Sequence, residues 1–241
     1  MRRRDDRPIY APMNQSARPP AISVGVVSDV ACPWCYLGKR RLEQAIALVP
    51  ELSVAVRWRP YRLDPTIPPE GMDRRDYVIR KFGSIEALDD AHARLTEYGR
   101  AVGIDYRFER ITRSANTINA HRLVRWAAVD GMEDAMVERL FAAYFSEGRD
   151  IGAIDVLAGL AGEVGLDAAN VAARLVNDDD REAVVGEIED AYRIGVTGVP
   201  CFIFDQRYAV MGAHPAESLA SGIRQAAAAR AGAAPEPIPA R

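Results

Sequence analysis

Cysteine is scarce in this chain, and so are histidine and lysine. Three cysteines in 241 residues, Cys32, Cys35 and Cys201, are too few for a disulfide scaffold, and an odd number cannot all pair. His92, His121 and His214 are the whole histidine supply, and none sits at a ligand spacing from another. Lys39 and Lys81 are the only lysines among 31 basic residues, which 34 acidic residues outnumber. A net charge of -3 removes the general case for a nucleic-acid partner or an anionic membrane surface. No apolar run reaches the 18 or so residues that a membrane helix needs. The basic start M-R-R-R-D-D-R is followed by no apolar h-region, so a cytoplasmic location is expected. Residues 1–20, with four prolines, and residues 231–241 read as disordered tails.

What remains is an ordinary globular composition, 49% hydrophobic and 27% charged, long enough to bury a sizeable core. A-I-S-V-G-V-V-S (21–28) is a β-branched run suited to a buried strand. Leu42, Ile46 and Val49 then recur at helical spacing before Pro50, and Val54, Val56 and Trp58 alternate as a second strand. Residues 21–60 therefore read as a βαβ unit. From 72 to 178 no strand is expected; helical patterns fall near 73–82, 84–101, 115–129, 132–147, 151–164 and 167–176, with another at 181–194. Cys201–Phe204 and Tyr208–Met211 read as a hairpin turning at Asp205–Arg207, followed by a helix over 215–230. Strands near both ends with helices between them predict an α/β chain: one sheet from 21–66 and 180–230, and an all-helical insertion over 67–179.

The chemistry concentrates in S-D-V-A-C-P-W-C-Y-L-G-K, residues 28–39. Pro33 suits the first position of a helix, where its missing N–H has no intrahelical partner to lose. Cys32 is then the N-cap, at the positive end of the helix dipole, which favours an anion by ~0.3–1 kcal/mol. Because the thiolate is the nucleophile, Cys32 is the expected attacking sulfur and Cys35, one turn on, the resolving one. Dithiol redox chemistry is the reading these residues favour. A zinc half-site, an inert disulfide and a coincidental pair of core cysteines are the alternatives; the first lacks two further ligands, the second suits an oxidising compartment, and the third does not account for Pro33 at a strand–helix junction.

The motifs S-D-V-A-C-P-W-C-Y-L-G-K-R-R (28–41), N-T-I-N-A-H-R-L (116–123), L-F-A-A-Y-F-S-E-G-R-D-I (140–151) and G-V-T-G-V-P-C-F-I-F (195–204) occur in that order. With them the chain resembles the DsbA-like branch of the thioredoxin superfamily, specifically its FrnE-like members, over about residues 22–225. These are grouped with 2-hydroxychromene-2-carboxylate isomerases and kappa-class glutathione transferases. The resemblance implies a thioredoxin fold with a large helical insertion after the first βαβ unit. It also implies a thiol–disulfide oxidoreductase or disulfide isomerase whose active-site motif includes Pro33 and Trp34. A cis Val199–Pro200 bond is expected to face the cysteines and to align an extended substrate by backbone pairing. Asn116 and His121 are implied as substrate contacts, against a plain reading as a helix cap and a satisfied histidine. Protein thiols and disulfides, or a small-molecule thiol such as glutathione as co-substrate, are the implied partners, with no other cofactor and a homodimer as one implied assembly. The alternative activity is a thiol-dependent isomerase or transferase of an aromatic or polyketide-like molecule.

Three other features carry expectations. Cys201 departs from the family pattern; it reads as a small buried hydrophobe, with a bond to Cys32 as the alternative. Asp29 reads as a carboxylate capping the turn after the first strand, with proton transfer as the alternative. The acids of N-D-D-D (177–180) read as favoured by a helix N-terminus rather than as a metal cluster.

Overall fold

The computed structural model describes residues 21–232. The expected tail at 1–20 and all but the first two residues of that at 231–241 lie outside the described residues. Strand β1 (Ile22–Ser28) leads through a short turn into helix α1 (Pro33–Ala47), which returns through β2 (Val54–Pro60). The two strands pair in parallel, Ile22 opposite Val54 through Ser28 opposite Pro60. Near the other end of the chain, β5 (Cys201–Phe204) pairs antiparallel with β1, and β6 (Tyr208–Met211) antiparallel with β5. The sheet order is β2-β1-β5-β6. Asp205 and Gln206 both take positive φ, 52° and 59°, as a tight hairpin turn demands of its central pair.

Between β2 and β5 the chain is almost wholly helical. The short strands β3 (Met72–Asp73) and β4 (Arg113–Ser114) bracket α2 (Arg74–Phe82) and α3 (Asp89–Ala101). After them come α4 (Ile118–Val129), α5 (Glu133–Phe145), α6 (Ile154–Glu163), α7 (Ala168–Val176) and α8 (Arg181–Arg193); α9 (Ala216–Arg230) follows the hairpin. The β3–β4 ladder corrects the expectation that 72–178 holds no strand. Two residues on each side are too few to leave an alternating pattern in sequence. The helix expected over 115–129 starts at Ile118, three residues late, because Asn116 and Thr117 are used ahead of it.

Period-two alternation sorts the sheet into two faces. Val24, Val26, Phe202 and Phe204 pack with Leu42 of α1 and with Leu219 and Ile223 of α9. Val27 and Cys201 point the other way, against Tyr61, Ala191 of α8 and Val196. The largest core runs without a break from Val30, Cys32, Cys35 and Tyr36 into Leu123, Phe141, Phe145 and Leu157, so α1 and the inserted helices share one apolar interior.

Polar contacts fix how the insertion sits. Glu133, in the first turn of α5, accepts from the edge-strand backbone N–H of Trp58 at 3.0 Å, and Asp134 accepts from the Trp58 indole N–H at 3.2 Å. Lys39 of α1, only 2% exposed, pairs with Glu43, with Asp134 at 3.0 Å and with Glu138 at 3.3 Å. Burial opposes its charge, but Glu43 and Asp134 outweigh that and raise its pKa. Arg122 is fully buried, donating to the carbonyls of Arg174, Leu175 and Asp179 at 2.7, 3.1 and 2.6 Å. It thereby closes the C-terminal end of α7, whose last carbonyls have no helical partner. The N-D-D-D acids are taken by arginines rather than by the α8 terminus alone: Asp178 accepts from Arg181 at 2.7 Å and Asp180 from Arg174 at 3.1 Å. Asp180 precedes α8 at φ 60° with no side-chain cap bond.

Candidate dithiol active site

Cys32 occupies the N-cap of α1 with extended backbone (φ -98°, ψ 113°), Pro33 opens the helix, and Cys35 completes its first turn. The Cys35 N–H donates to the Cys32 carbonyl at 3.0 Å. Both are free thiols in the core, 3% and 1% exposed. The Cys32 S–H points at the Val199 carbonyl, with sulfur and oxygen 3.7 Å apart, and the Val199–Pro200 bond is cis. The C-x-x-C and the V-P pair, 167 positions apart, therefore form two walls of one site.

The two sulfurs differ in surroundings. Burial, then its contact with Cys32, raises the Cys35 thiol well above the ordinary thiol range. Two donors act against this, the hydroxyl of Ser28 and the backbone at Asp29. Ser28 Oγ is buried without a hydrogen-bond partner of its own, so its O–H is available to Cys35 as charge develops on that sulfur. Cys201 stands on the opposite face of the sheet from α1, packed among Val27, Tyr61 and Ala191, and burial raises its thiol. That position matches a small hydrophobe, with the side chain on the face of the sheet away from α1.

The insertion supplies the rest of the surroundings. Tyr106 donates its hydroxyl to the Pro33 carbonyl, between the two cysteines, at 2.6 Å. Its ring stacks on Phe108 at 5.0 Å, and burial raises its phenol far above the usual value. Trp34 leans on Tyr98 of α3 with ring centroids 6.4 Å apart. On the other side, α1 approaches Pro200 through Gly38. A Cβ there would lie 2.9 Å from Pro200 Cγ and 3.1 Å from Phe202 Cζ.

Asp29, Asn116 and His121 are buried and turned inward. Asp29 accepts from the N–H groups of Ala31 (3.1 Å) and Leu63 (2.8 Å), a cap on two loops. Asn116 donates to the Ile67 carbonyl at 3.0 Å and accepts from the Ile118 N–H at 3.2 Å. His121 Nε2 lies 3.0 Å from the Tyr61 carbonyl, so that nitrogen carries the proton and donates. Asn116 thus clamps a loop, and His121 spends Nε2 on backbone while that nitrogen also lies 3.8 Å from Asp29 Oδ1. Ser28, Gly38 and Tyr106 went unread in the sequence. Only Gly38 leaves a signal there, as a glycine inside a helical pattern. Among the described residues no group of three or more His, Cys, Asp or Glu is arranged to hold a metal ion.

A dithiol at a helix N-terminus, facing a cis-proline on a β2-β1-β5-β6 sheet, defines a thioredoxin-type redox protein. The DsbA-like thioredoxin domain model matches residues 23–224, and the chain belongs to that family. A probable DsbA oxidoreductase from Streptomyces coelicolor is 32% identical, with 91% of this chain and 93% of that one covered at a TM-score of 0.78. The Bacillus subtilis (strain 168) protein YwbO is 29% identical over 186 residues, 76% of this chain and 86% of that protein. The cytosolic disulfide reductase DsbM from Pseudomonas aeruginosa is 25% identical over 75% of this chain and 83% of its own, at a TM-score of 0.51.

Proposed function

We propose that the protein is a cytoplasmic thiol–disulfide oxidoreductase with disulfide-isomerase capacity. The observation that carries this reading is the Cys32 sulfur at the α1 N-cap, 3.7 Å from the Val199 carbonyl beside the cis peptide bond. As a thiolate, Cys32 attacks one sulfur of a substrate disulfide, forming a mixed disulfide and releasing the other sulfur as thiolate. Cys35 then attacks Cys32, the substrate leaves as a thiol, and two electrons have passed from protein to substrate. Run backwards, the same steps oxidise a substrate dithiol. Isomerisation needs only the first step and its reversal on a different substrate sulfur. The Val199 carbonyl and N–H align the substrate as an added strand, and Trp34 gives it an apolar surface.

The cytosolic disulfide reductase DsbM shares the fold, which supports a reducing compartment; its glutathione-bound structure supports a low-molecular-weight thiol as the closing reductant. The intact Cys32/Cys35 pair favours this chemistry over a thiol-dependent isomerase, which needs only a bound thiol. The test is insulin reduction and refolding of scrambled ribonuclease by wild type, Cys32→Ser and Cys35→Ser. Turnover by wild type that Cys32→Ser abolishes is expected. Wild-type inactivity in both assays, alongside turnover of a small aromatic substrate with glutathione, would sink the proposal.

A further inference from the structure

A cavity of about 40 Å³ opens beside Ala31, the residue before Cys32. Arg62, from the loop after β2, and Arg74, the first residue of α2, both line it, and both are half-buried. Arg62 donates to the carbonyls of Pro65 and Ile67 at 3.3 and 3.2 Å, and Arg74 to Ser114 Oγ at 3.5 Å. Among the described residues, neither guanidinium has a carboxylate within 4.0 Å, and Arg74 lies over the Tyr77 ring at 5.6 Å. Two acids also line the cavity, and both are already committed. Asp29 holds the Ala31 and Leu63 N–H groups, while Asp64 holds Lys81 at 3.1 Å and the Thr66 hydroxyl at 2.6 Å.

Two half-buried guanidiniums with free N–H groups fit a planar anion, and a guanidinium matches a carboxylate by its fork geometry. The volume admits a group of a few heavy atoms. We propose that this cavity is the subsite for a carboxylate on the disulfide that Cys32 attacks, an inference that rests on the dithiol reading above. The enzyme then prefers anionic substrates. The carboxylate comes either from a small carboxylate-bearing thiol or from an acidic group or C-terminus of a protein.

The test is a single turnover of pre-reduced protein with two aromatic disulfides, dithiobis(nitrobenzoate), which carries carboxylates, and neutral dithiodipyridine. In each, Cys32 displaces one aryl thiolate and Cys35 the second, so two thiols appear as the protein dithiol becomes a disulfide. Arg74→Gln slows the anionic probe by about tenfold relative to the neutral one, the low end for a hydrogen bond to a charged group. Arg75→Gln, an exposed neighbour with the same charge change, shifts that ratio by no more than about twofold. An unchanged ratio in Arg74→Gln, or an equal shift in Arg75→Gln, overturns the subsite while leaving the dithiol reading intact. Failure of wild type to react with the neutral disulfide overturns both. Repeating the comparison with the disulfide of γ-glutamylcysteinylglycine and with a cysteine-peptide disulfide, each as free acid and as amide, identifies the source. The arm in which amidation reproduces the Arg74→Gln loss names it, and no loss in either overturns the proposal.

Discussion

Gly38→Ala sets two well-known effects against each other. Replacing a glycine inside a helix by alanine ordinarily stabilises by about 1 kcal/mol. At position 38 the new methyl would lie 2.9 Å from Pro200 Cγ, 3.1 Å from Phe202 Cζ and 3.4 Å from Pro200 Cβ. Neither neighbour gives easily, since the proline is a ring in the site loop and Phe202 is fully buried. Overpacking of this kind costs about 1–3 kcal/mol, so the two terms leave a net loss of about 1 kcal/mol. For a chain of this size that lowers Tm by about 2–4 °C. It also pushes Pro200 outward, so reaction of Cys32 with a bulky disulfide slows while its reaction with a small alkylating agent does not. Gly186 in α8 is the internal control, because no atom lies within 4 Å of a Cβ there. Gly186→Ala should raise stability by about 1 kcal/mol. Paired denaturant melts of the two variants decide the matter. If Gly38→Ala stabilises as Gly186→Ala does, the close approach of α1 to Pro200 is not real.

Three further outcomes follow from the site and its supports. Ser28→Ala removes a hydroxyl that favours the Cys35 thiolate, so release of the mixed disulfide slows and needs higher pH, while the first attack by Cys32 keeps its rate; stopped-flow monitoring of the two phases separates them. Tyr106→Phe keeps the ring stack and loses the bond to Pro33, costing about 1 kcal/mol, whereas Tyr106→Ala costs about 3–5 kcal/mol, both measurable in urea. Burial raises Glu133 above the ordinary carboxyl range despite the N–H of Trp58 and the nearby Arg57. Its folded pKa therefore exceeds its unfolded one, so its contribution is fully present below the unfolded pKa and is lost as pH rises through the folded value. Glu133→Gln, which still accepts from Trp58, removes that decline above pH 4.5, whereas Glu133→Ala destabilises by about 1–3 kcal/mol by orphaning the N–H.

Local chemistry made much of this legible in the sequence. Pro33 and the preceding β-branched run set the helix start and the position of Cys32, and the hairpin from Cys201 to Met211 lies where alternation put it. Features that depend on distant partners were not legible. Gly38 matters because residue 200 lies against it, and no helical pattern reports that neighbour. Ser28 reads as an ordinary strand end until the Cys35 sulfur is placed beside it. Asn116 and His121 carry residue types suited to a binding site, and their bonds to the carbonyls of Ile67 and Tyr61 have no trace in the sequence. Buried backbone that loops leave unpaired must find a donor, and a short polar side chain nearby is the usual answer. Arg122 shows the same rule on a larger scale, an arginine enclosed because two carbonyls at the end of α7 and one in the turn after it need donors.

The division of labour between Cys32 and Cys35 is the central claim, and trapping tests it most directly. Reduced Cys35→Ser protein is mixed with a peptide disulfide, quenched with acid and mapped by mass spectrometry. A stable mixed disulfide on Cys32, absent from wild type because Cys35 resolves it, is the predicted result. Adduct on Cys201, or no adduct in Cys35→Ser while Cys32→Ser accumulates one on Cys35, would contradict the account.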